Sequence, residues 1–521
     1  MRDLAYLKLL SREYPNIRAA ASDIINLQAI CGLPKGTEYF FSDLHGEHEA
    51  FIYLLRSSSG IIREKIRETF GHIISEEDEV RLANLIYYPE KMINQIKQAN
   101  EYTEDWQKTA VYRLVQICRE VSSKYTRSKV RKKMPREFSG VIDELLYVDN
   151  TDDNKTEYYS ELINTLIDVR VADSFIVVIC SLIRSLTIDN LHILGDIFDR
   201  GPRPDIILEE LMHFHDVDIQ WGNHDISWMG AATGNRACIC NVLRMALGYN
   251  GFDVLEDGYG INLRPLSMFA ERVYRDDPCT CFLPQILDKN IYDAVDPKLA
   301  AKMHKAIAVL QYKEEGQIIK RHPEYGMEER ILLSAIRYDR GTVTIDGKEY
   351  PMRDMNFPTV DPADPLRLTD EEEELLHTLE LSFRHNARLH EHVRFLYSNG
   401  SMYKCCNSNL LYHGCIPMTE NREFDGLMVG GKMYRGKELM DFIDTQVKNA
   451  YFLPEDAPEK EACRDFMWYL WNGAKSPVFG KDKNRSFEHY FIEDPEVMRE
   501  TMNPYYQPIH RRIETHFGRY P

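Results

Sequence analysis

Four short segments of the chain combine carboxylate, amide or imidazole side chains with a glycine, which lets the backbone turn sharply. They are Asp43-Leu44-His45-Gly46, Gly195-Asp196-Ile197-Phe198-Asp199-Arg200-Gly201, Gly222-Asn223-His224-Asp225 and His413-Gly414. Oxygen and imidazole donors bind Mn²⁺, Mg²⁺, Fe or Zn²⁺ rather than soft ions. One carboxylate, here Asp196, can bridge two ions that lie about 3.5–4 Å apart in two-metal hydrolases. The segments therefore predict a metal site that activates water for hydrolysis.

The four segments differ in specificity. The Asp43-x-His45 pattern alone is common on protein surfaces, and an Asn-His-Asp turn usually caps its own backbone. Segment 195–201 is far more demanding, because five of its seven positions carry a required residue type. Its occurrence in order with the other three segments favours a metal site over coincidence.

Short apolar runs precede the polar segments and must position them. These runs have the length and composition of buried strands and lie at 39–41, 191–194, 217–221 and 409–412. Helical spacing covers residues 1–34, most of 50–187, 295–335 and 369–398, whereas 342–350 alternates around Asp346-Gly347, a hairpin signal. We therefore expect an α/β protein with its chemistry at the strand ends.

Composition excludes several other classes of protein. The 521 residues are 44% hydrophobic and 28% charged, which is typical of globular domains. A net charge of −18 disfavours non-specific binding to nucleic acid or anionic membranes. The longest apolar run, 175–183, is too short to span a membrane, and the N-terminus lacks the apolar core of a signal peptide. Eleven cysteines without zinc-type spacing indicate reduced thiols and a cytoplasmic location.

The ordered polar segments resemble the signature of the calcineurin-like metallophosphoesterases. A closer resemblance, over essentially the whole chain, is to the class III fructose-1,6-bisphosphatases, a bacterial gluconeogenic group. It is carried by residues 43–51, 199–205, 221–229, 412–418, 468–483 and 503–506. The resemblance implies hydrolysis of fructose 1,6-bisphosphate to fructose 6-phosphate and phosphate, by water activated at two divalent ions.

The resemblance also implies the organisation of the chain. We expect a metallophosphoesterase core of two packed mixed β-sheets flanked by helices, with two large, mostly helical insertions. The segments are an N-terminal helical segment (1–36), catalytic core parts (37–54, 188–250 and 405–521, the last incomplete), a helical insertion (55–187) and a second insertion (251–404). The expected partner is a small phosphorylated sugar, and neither nucleic acid nor a membrane is expected to bind. Assembly into a homo-oligomer stays an open alternative.

Metal ligands are assigned by carrying the resemblance over residue by residue. Asp43, His45 and Asp196 would hold the first ion, and Asp196, Asn223 and His413 the second. The usual activator of the group is Mn²⁺, with Mg²⁺, Fe and Zn²⁺ as the alternatives.

Catalytic roles are assigned in the same way. His224 would protonate the leaving sugar oxygen. Either Asp199 or Asp225 would stabilise the imidazolium form of His224. Arg200 would bind the phosphate through two N–H groups, a geometry that lysine cannot reproduce.

A bisphosphate needs further cations for its second phosphate. Four basic residues in a loop with Gly and Pro are the candidates, and a solvated surface is the alternative: Lys475, Lys481, Lys483 and Arg485. A second basic stretch, 124–136, is more consistent with a solvated helix face than with a site for an anionic effector or another subunit.

One feature departs from the superfamily pattern. The signature normally ends with a further Gly-His motif, which completes the second metal site, and no comparable motif follows His413. We therefore expect a chain truncated relative to its group. Two alternatives stay open: a phosphoprotein or dinucleotide polyphosphate hydrolase, and an inactive truncated or regulatory chain.

Overall fold

The structure, a computed structural model, describes residues 2–33, 35–71, 73–147, 153–285, 296–419, 421 and 423–499. Segment 503–506 of the resemblance lies outside these ranges. The chain divides into two compact units. We call Met1–Tyr39 with Ile52–Leu191 the helical unit, and Phe40–Phe51 with His192–Pro521 the α/β unit.

Helices dominate the first 190 residues. In chain order they are α1 (Arg2–Glu13), α2 (Ile17–Cys31), α3 (His48–Ser57), α4 (Ile61–Phe70), α5 (Glu76–Tyr87), α6 (Pro89–Gln98), α7 (Glu104–Ser122), α8 (Arg127–Lys133), α9 (Ser139–Tyr147), α10 (Asp153–Asp168) and α11 (Ala172–Thr187). The predicted helical segment 1–34 is two helices, because Asn16 caps α2 by accepting a hydrogen bond from the N–H of Ala19 (3.0 Å).

The core of the helical unit forms around α11. Phe175, Ile179, Ile183 and Leu186 recur every three or four residues along this helix and are fully buried. This spacing places them on one face of the helix, where they pack against apolar residues of the neighbouring helices. The apolar run that sequence analysis identified as too short for a membrane is thus a core helix.

The basic stretch 124–136 is largely paired within the helical unit. Lys129 and Lys133 both bind Asp189, the latter at 3.0 Å. Arg131 contacts both oxygens of Asp143, at 2.9 and 2.6 Å. These ion pairs favour a structural role for the stretch over an effector site.

The α/β unit contains the sheets. The strands are β1 (Glu38–Phe41), β2 (Asn190–Ile193), β3 (Val217–Gln220), β4 (Ile336–Arg337), β5 (Thr342–Ile345), β6 (Lys348–Pro351), β7 (Gly400–Ser401), β8 (Lys404–Cys406), β9 (Asn409–Leu411), β10 (Gly426–Val429) and β11 (Lys432–Arg435). Four of them form the main sheet, in the order β1-β2-β3-β7, with β3 and β7 parallel. The boundaries between the two units fall within β1, α3 and β2. The predicted α/β class is confirmed.

One strand prediction is wrong in its partner. The run at 409–412 was expected to join the main sheet, but β9 pairs antiparallel with β8 in a separate hairpin. The fourth strand is β7, whose Gly400 pairs with Ile219. A Cβ atom on Gly400 would lie 2.1 Å from Nε1 of Trp221. Close packing, rather than strand propensity, therefore selects this edge.

The remaining helices belong to the α/β unit. They are α12 (Pro204–Met212), α13 (Asn223–Thr233), α14 (Arg236–Gly248), α15 (Arg264–Val273), α16 (Pro297–Arg321), α17 (Asp370–Arg384), α18 (Ala387–Asn399), α19 (Gly436–Phe452), α20 (Lys460–Asn472), α21 (Ser486–Phe491) and α22 (Pro495–Met498). The predicted hairpin is confirmed, with Asp346 and Gly347 at positive φ between β5 and β6. Within the described residues, we find no helix with the length and hydropathy needed to cross a membrane.

Candidate metal centre

The loops that follow β1 and β2 lie side by side and carry most of the predicted ligands. The N–H of Asp43 donates to the carbonyl of Gly195 (3.1 Å). The N–H of His45 donates to the carbonyl of Asp196 (2.8 Å). Residue numbers increase together along the two hydrogen-bonded loops, so the loops run parallel. The carboxyl ends of the two strands therefore meet at one edge of the sheet.

The backbone of these loops is held in the left-handed region. Five residues with side chains have positive φ: Asp43 (55°), His45 (43°), Asp196 (57°), Asp199 (67°) and Arg200 (69°). Such conformations are uncommon outside glycine, and they cluster at functional sites when the surrounding structure enforces them. The strain thus coincides with the predicted ligand and phosphate-binding positions.

Glycines allow the loops to approach closely. A Cβ atom on Gly195, at φ 81°, would lie 2.6 Å from the backbone nitrogen of Gly222 and 2.7 Å from Nδ1 of His413. A Cβ atom on Gly222 would lie 2.1 Å from Oδ1 of Asp196. Both glycines are therefore required for the carboxylate to sit between the three segments.

The Asp196 carboxylate is the centre of the cluster. Its Oδ2 lies 3.4 Å from Nε2 of His413 and 3.9 Å from Nε2 of His45. Asp43 completes the group, with its Oδ1 4.0 Å from Nε2 of His45. Two sets of potential ligand atoms lie within 4.8 Å of one another, and both include Asp196: Asp43, Asp196 and His413, and His45, Asp196 and His224.

Backbone carbonyls orient the two imidazoles. Nδ1 of His45 contacts the carbonyl of Phe198 (3.0 Å), and Nδ1 of His413 contacts that of Leu194 (2.6 Å). A ring whose Nδ1–H donates to a carbonyl leaves the lone pair of Nε2 for a metal ion. Both Nε2 atoms face Asp196, so this arrangement suits metal binding.

The charges within the cluster are strongly coupled. Burial opposes ionisation of Asp196, but the hydrogen bond with His413 and the nearby imidazoles lower its pKa. Burial would lower the pKa of His413, yet the contact with Asp196 raises it to about 9. Burial and the neighbouring His224 lower the pKa of His45. A proton and a cation compete for such nitrogens, so metal binding and protonation are linked.

Asp225 connects the loop after β2 to the loop after β3 through hydrogen bonds to backbone N–H groups. Its carboxylate is fully buried and accepts hydrogen bonds from the N–H groups of Asp196 (2.9 Å), Ile197 (2.8 Å) and Gly222 (2.9 Å). Burial and the charge of Asp196 raise the pKa of Asp225 to about 6. Of the two partners predicted for His224, this one is engaged with the backbone.

Asp199 is the acid that contacts His224. Its Oδ2 lies 2.7 Å from Nδ1 of His224, and its Oδ1 accepts a hydrogen bond from the indole N–H of Trp228 (2.8 Å). The His224 ring packs edge-on against Trp471, with ring centres 4.9 Å apart. The imidazole is therefore fixed on both sides.

A cavity of about 670 Å³ opens onto the cluster. Asp43, His45, Asp196, Asn223, His224 and His413 line it, together with Arg200, Lys481 and Arg485. In the part of the chain that the structure describes, Lys475 and Lys483 lie away from this wall. They pair with Asp425 (3.1 Å) and Asp346 (2.5 Å), carboxylates from distant parts of the chain that neutralise them.

Three polar residues of the cavity wall that matter below were not identified from the sequence. Arg244 on α14, His304 on α16 and Tyr490 on α21 all line it. A signal for Arg244 was present, since it is the one charged residue in the otherwise apolar run 242–247. Nothing in the sequence connects the three residues.

An α/β fold with a carboxylate–imidazole cluster at its strand ends, inside a cavity of small-molecule size, is typical of metal-dependent hydrolases. Comparison with known proteins identifies the family within this class. The model of the Firmicute fructose-1,6-bisphosphatase family matches residues 5–516, and the chain belongs to this family.

Curated relatives agree with the family. The chain is 51% identical over 504 residues to fructose-1,6-bisphosphatase class 3 of Clostridium tetani, covering 97% of this chain and 76% of that protein. It is 50% identical over 522 residues to the enzyme of the same name from Bacteroides fragilis, covering 99% and 79%. No solved structure matches the chain. The resemblance to class III fructose-1,6-bisphosphatases is confirmed.

Proposed function

We propose that the chain hydrolyses the 1-phosphate of fructose 1,6-bisphosphate, releasing fructose 6-phosphate and phosphate, as a step of gluconeogenesis in the cytoplasm. Family membership supports the substrate. The observation that carries the chemistry is the Asp196 carboxylate, which lines the cavity and belongs to two clusters of potential ligands, one with Asp43 and His413 and the other with His45 and His224. None of the eleven cysteines, all of which lie in the described residues, forms a disulfide, consistent with a reducing compartment.

The donor set fits divalent metal ions. Asp43, His45 and Asp196 would hold one ion, and Asp196, Asn223 and His413 the other. All five residues line the cavity and offer oxygen donors or imidazoles oriented by backbone carbonyls, without thiolate. When bound, such ions supply Lewis acidity and an activated water. We propose Mn²⁺ as the native ion, a metallophosphoesterase core of two packed mixed sheets, and the six-segment division of the chain given above.

We propose His224 as the general acid. Because its Nδ1 contacts the Asp199 carboxylate, the proton available for transfer is on Nε2. An adjacent buried carboxylate stabilises the imidazolium form, which is the form that can protonate a sugar alkoxide. Arg200, which follows Asp199 in the same loop and lines the cavity, would bind the phosphate that is cleaved.

The dimensions of the cavity favour a small substrate. A volume of about 670 Å³ is in the range of small-ligand pockets. No observation in the described residues favours the two alternatives, hydrolysis of phosphoproteins or dinucleotide polyphosphates and an inactive regulatory chain.

The decisive experiment measures phosphate release with Mn²⁺ from three substrates: fructose 1,6-bisphosphate, a phosphopeptide and a dinucleotide polyphosphate. Preference for the sugar is expected, and preference for the peptide or dinucleotide overturns the assignment. Elemental analysis of the same preparation tests the regulatory alternative, for which one bound ion or none is expected instead of two.

A further inference from the structure

A buried arginine in the cavity wall, Arg244, is not directly paired with a carboxylate among the described residues. Arg244 lines the cavity and is 5% exposed. Among the described residues, no carboxylate lies within ion-pair distance of its guanidinium; its three hydrogen bonds go to neutral groups. Burying a guanidinium without an anionic partner is costly, so a protein retains one where a ligand supplies the negative charge.

Neutral acceptors hold the guanidinium in a fixed orientation. Nε of Arg244 donates to Oε1 of Gln311 (2.7 Å), and Nη2 donates to Oδ1 of Asn241 (2.8 Å). Both amides are themselves oriented, since Gln311 donates to Glu315 (2.7 Å) and Asn241 to Ser227 (2.8 Å). The charge is therefore positioned by residues that do not neutralise it directly.

The third acceptor is the hydroxyl of Tyr490. Nη1 of Arg244 donates to this oxygen (3.2 Å), and the hydroxyl lies 2.9 Å from Nε2 of His304. Nδ1 of His304 contacts the carbonyl of Phe282 (2.9 Å), which places the ring proton on Nδ1 and leaves Nε2 as the acceptor. The chain of hydrogen bonds thus runs from the guanidinium through Tyr490 to a neutral imidazole.

Within the described residues, two of the five N–H groups of the Arg244 guanidinium, one on each Nη, make no hydrogen bond. Two parallel N–H groups match the oxygens of a phosphate monoester. The other buried cation of the wall, Arg485, is already paired with Asp482 (2.6 Å). Of these two buried arginines, Arg244 is therefore the one without a carboxylate in ion-pair distance among the described residues.

We propose that Arg244 binds the phosphate that is not cleaved, carried by carbon 6 of the sugar. Gln311, Asn241 and Tyr490 are the positioning residues of this subsite. The proposal rests on the proposed function, but it concerns helices α14, α16 and α21 rather than the strand-end loops that carry the metal ligands. It makes Arg244 the residue that distinguishes a sugar bisphosphate from a sugar monophosphate.

The test compares fructose 1,6-bisphosphate with fructose 1-phosphate, which has the same cleavable group and lacks the second phosphate. Arg244→Gln is expected to lower kcat/KM for the bisphosphate on the order of 100-fold, as for lost charge-assisted hydrogen bonds, and to change kcat/KM for the monophosphate by less than about threefold. Equal losses for both substrates, or no loss for either, overturn the assignment.

Two milder variants test the subsite in case Arg244→Gln does not fold. Arg244→Lys keeps the charge without the two-pronged geometry, and Tyr490→Phe removes one hydroxyl; each should lower kcat/KM for the bisphosphate by about tenfold and spare the monophosphate. The matched control is Arg236→Gln on the same helix, whose guanidinium pairs with Glu373 (2.8 Å) and Glu380 (3.1 Å) outside the cavity. Its substrate preference should equal that of the wild type.

Binding of fructose 6-phosphate, measured by titration calorimetry with Mn²⁺ present, separates this inference from the proposed function. Wild-type binding and its loss in Arg244→Gln support the subsite, whether or not the chain turns over either sugar. Undiminished binding by the variant, or absence of binding by the wild type, refutes the subsite. If the wild type hydrolyses neither sugar but still binds fructose 6-phosphate through Arg244, only the proposed function fails.

Discussion

The contact between Asp199 and His224 gives the sharpest test of the general-acid role. In Asp199→Asn, one oxygen can still accept the hydrogen bond of Trp228, whereas the amide replaces the carboxylate oxygen 2.7 Å from Nδ1 of His224. The imidazolium then loses a buried charge-assisted hydrogen bond, worth about 1.5–3 kcal/mol. If the lost energy acts in the transition state, kcat should fall about 10- to 150-fold.

The leaving group shows whether proton donation is responsible. Fructose 1,6-bisphosphate releases a strongly basic alkoxide, which needs an acid. An aryl phosphate whose leaving group has a pKa of about 7 does not, so Asp199→Asn should cost less than about threefold on that substrate. Initial rates of phosphate release, with both substrates saturating, give the comparison. Elemental analysis should show unchanged metal content.

A control variant makes the same change elsewhere in the α/β unit. Asp218 contacts Nδ1 of the buried His192 at 2.9 Å, and neither residue lines the cavity. Asp218→Asn should reduce thermal stability without altering the ratio of the two rates. If Asp199→Asn slows both substrates equally, or if the control changes the ratio, Asp199 does not act through proton donation by His224.

Three further outcomes are expected. Asp196→Ala should abolish turnover and remove both metal ions, and elemental analysis showing two retained ions would contradict the bridging role. Burial lowers the pKa of His304 to about 3, so unfolding takes up a proton and stability falls as pH drops from about 6.5 towards 3. His304→Phe should therefore reduce the pH slope of the unfolding free energy between pH 4 and 6 by up to about 1.4 kcal/mol per pH unit, in denaturant titrations; an unchanged slope would be inconsistent with a neutral buried imidazole. Lys313→Met leaves the buried Glu372 carboxylate without its 2.6 Å partner and should destabilise the fold by about 3–5 kcal/mol, measured by the same titrations; a loss below about 1 kcal/mol would show that the pair is dispensable.

The features that sequence reasoning anticipated well are those encoded in contiguous residues. The Asp346-Gly347 turn joins β5 to β6 because both residues adopt the positive φ that a tight hairpin requires. The segment 195–201 likewise contains its own turn glycines and its own donors. Local patterns of this kind can be predicted without knowing how the rest of the chain folds.

Pairing across the chain was harder to anticipate. The strand at β9 has the right composition for the main sheet, yet the two-residue strand β7 takes the place beside β3. Lys475 and Lys483 have the right charge for a phosphate, yet each meets a carboxylate from elsewhere in the chain. Composition records the charge of a side chain and omits the neighbour that cancels it.

The sequence by itself determined the donor types, their order and the glycines that let the loops turn, because these depend on the chemistry and backbone freedom of adjacent residues. Only the tertiary structure decided that Asp199 rather than Asp225 contacts His224, and that Arg244 and Tyr490, 246 residues apart, meet in one cavity wall. These choices depend on which helices pack together, and packing energy is a property of the whole fold rather than of any local segment.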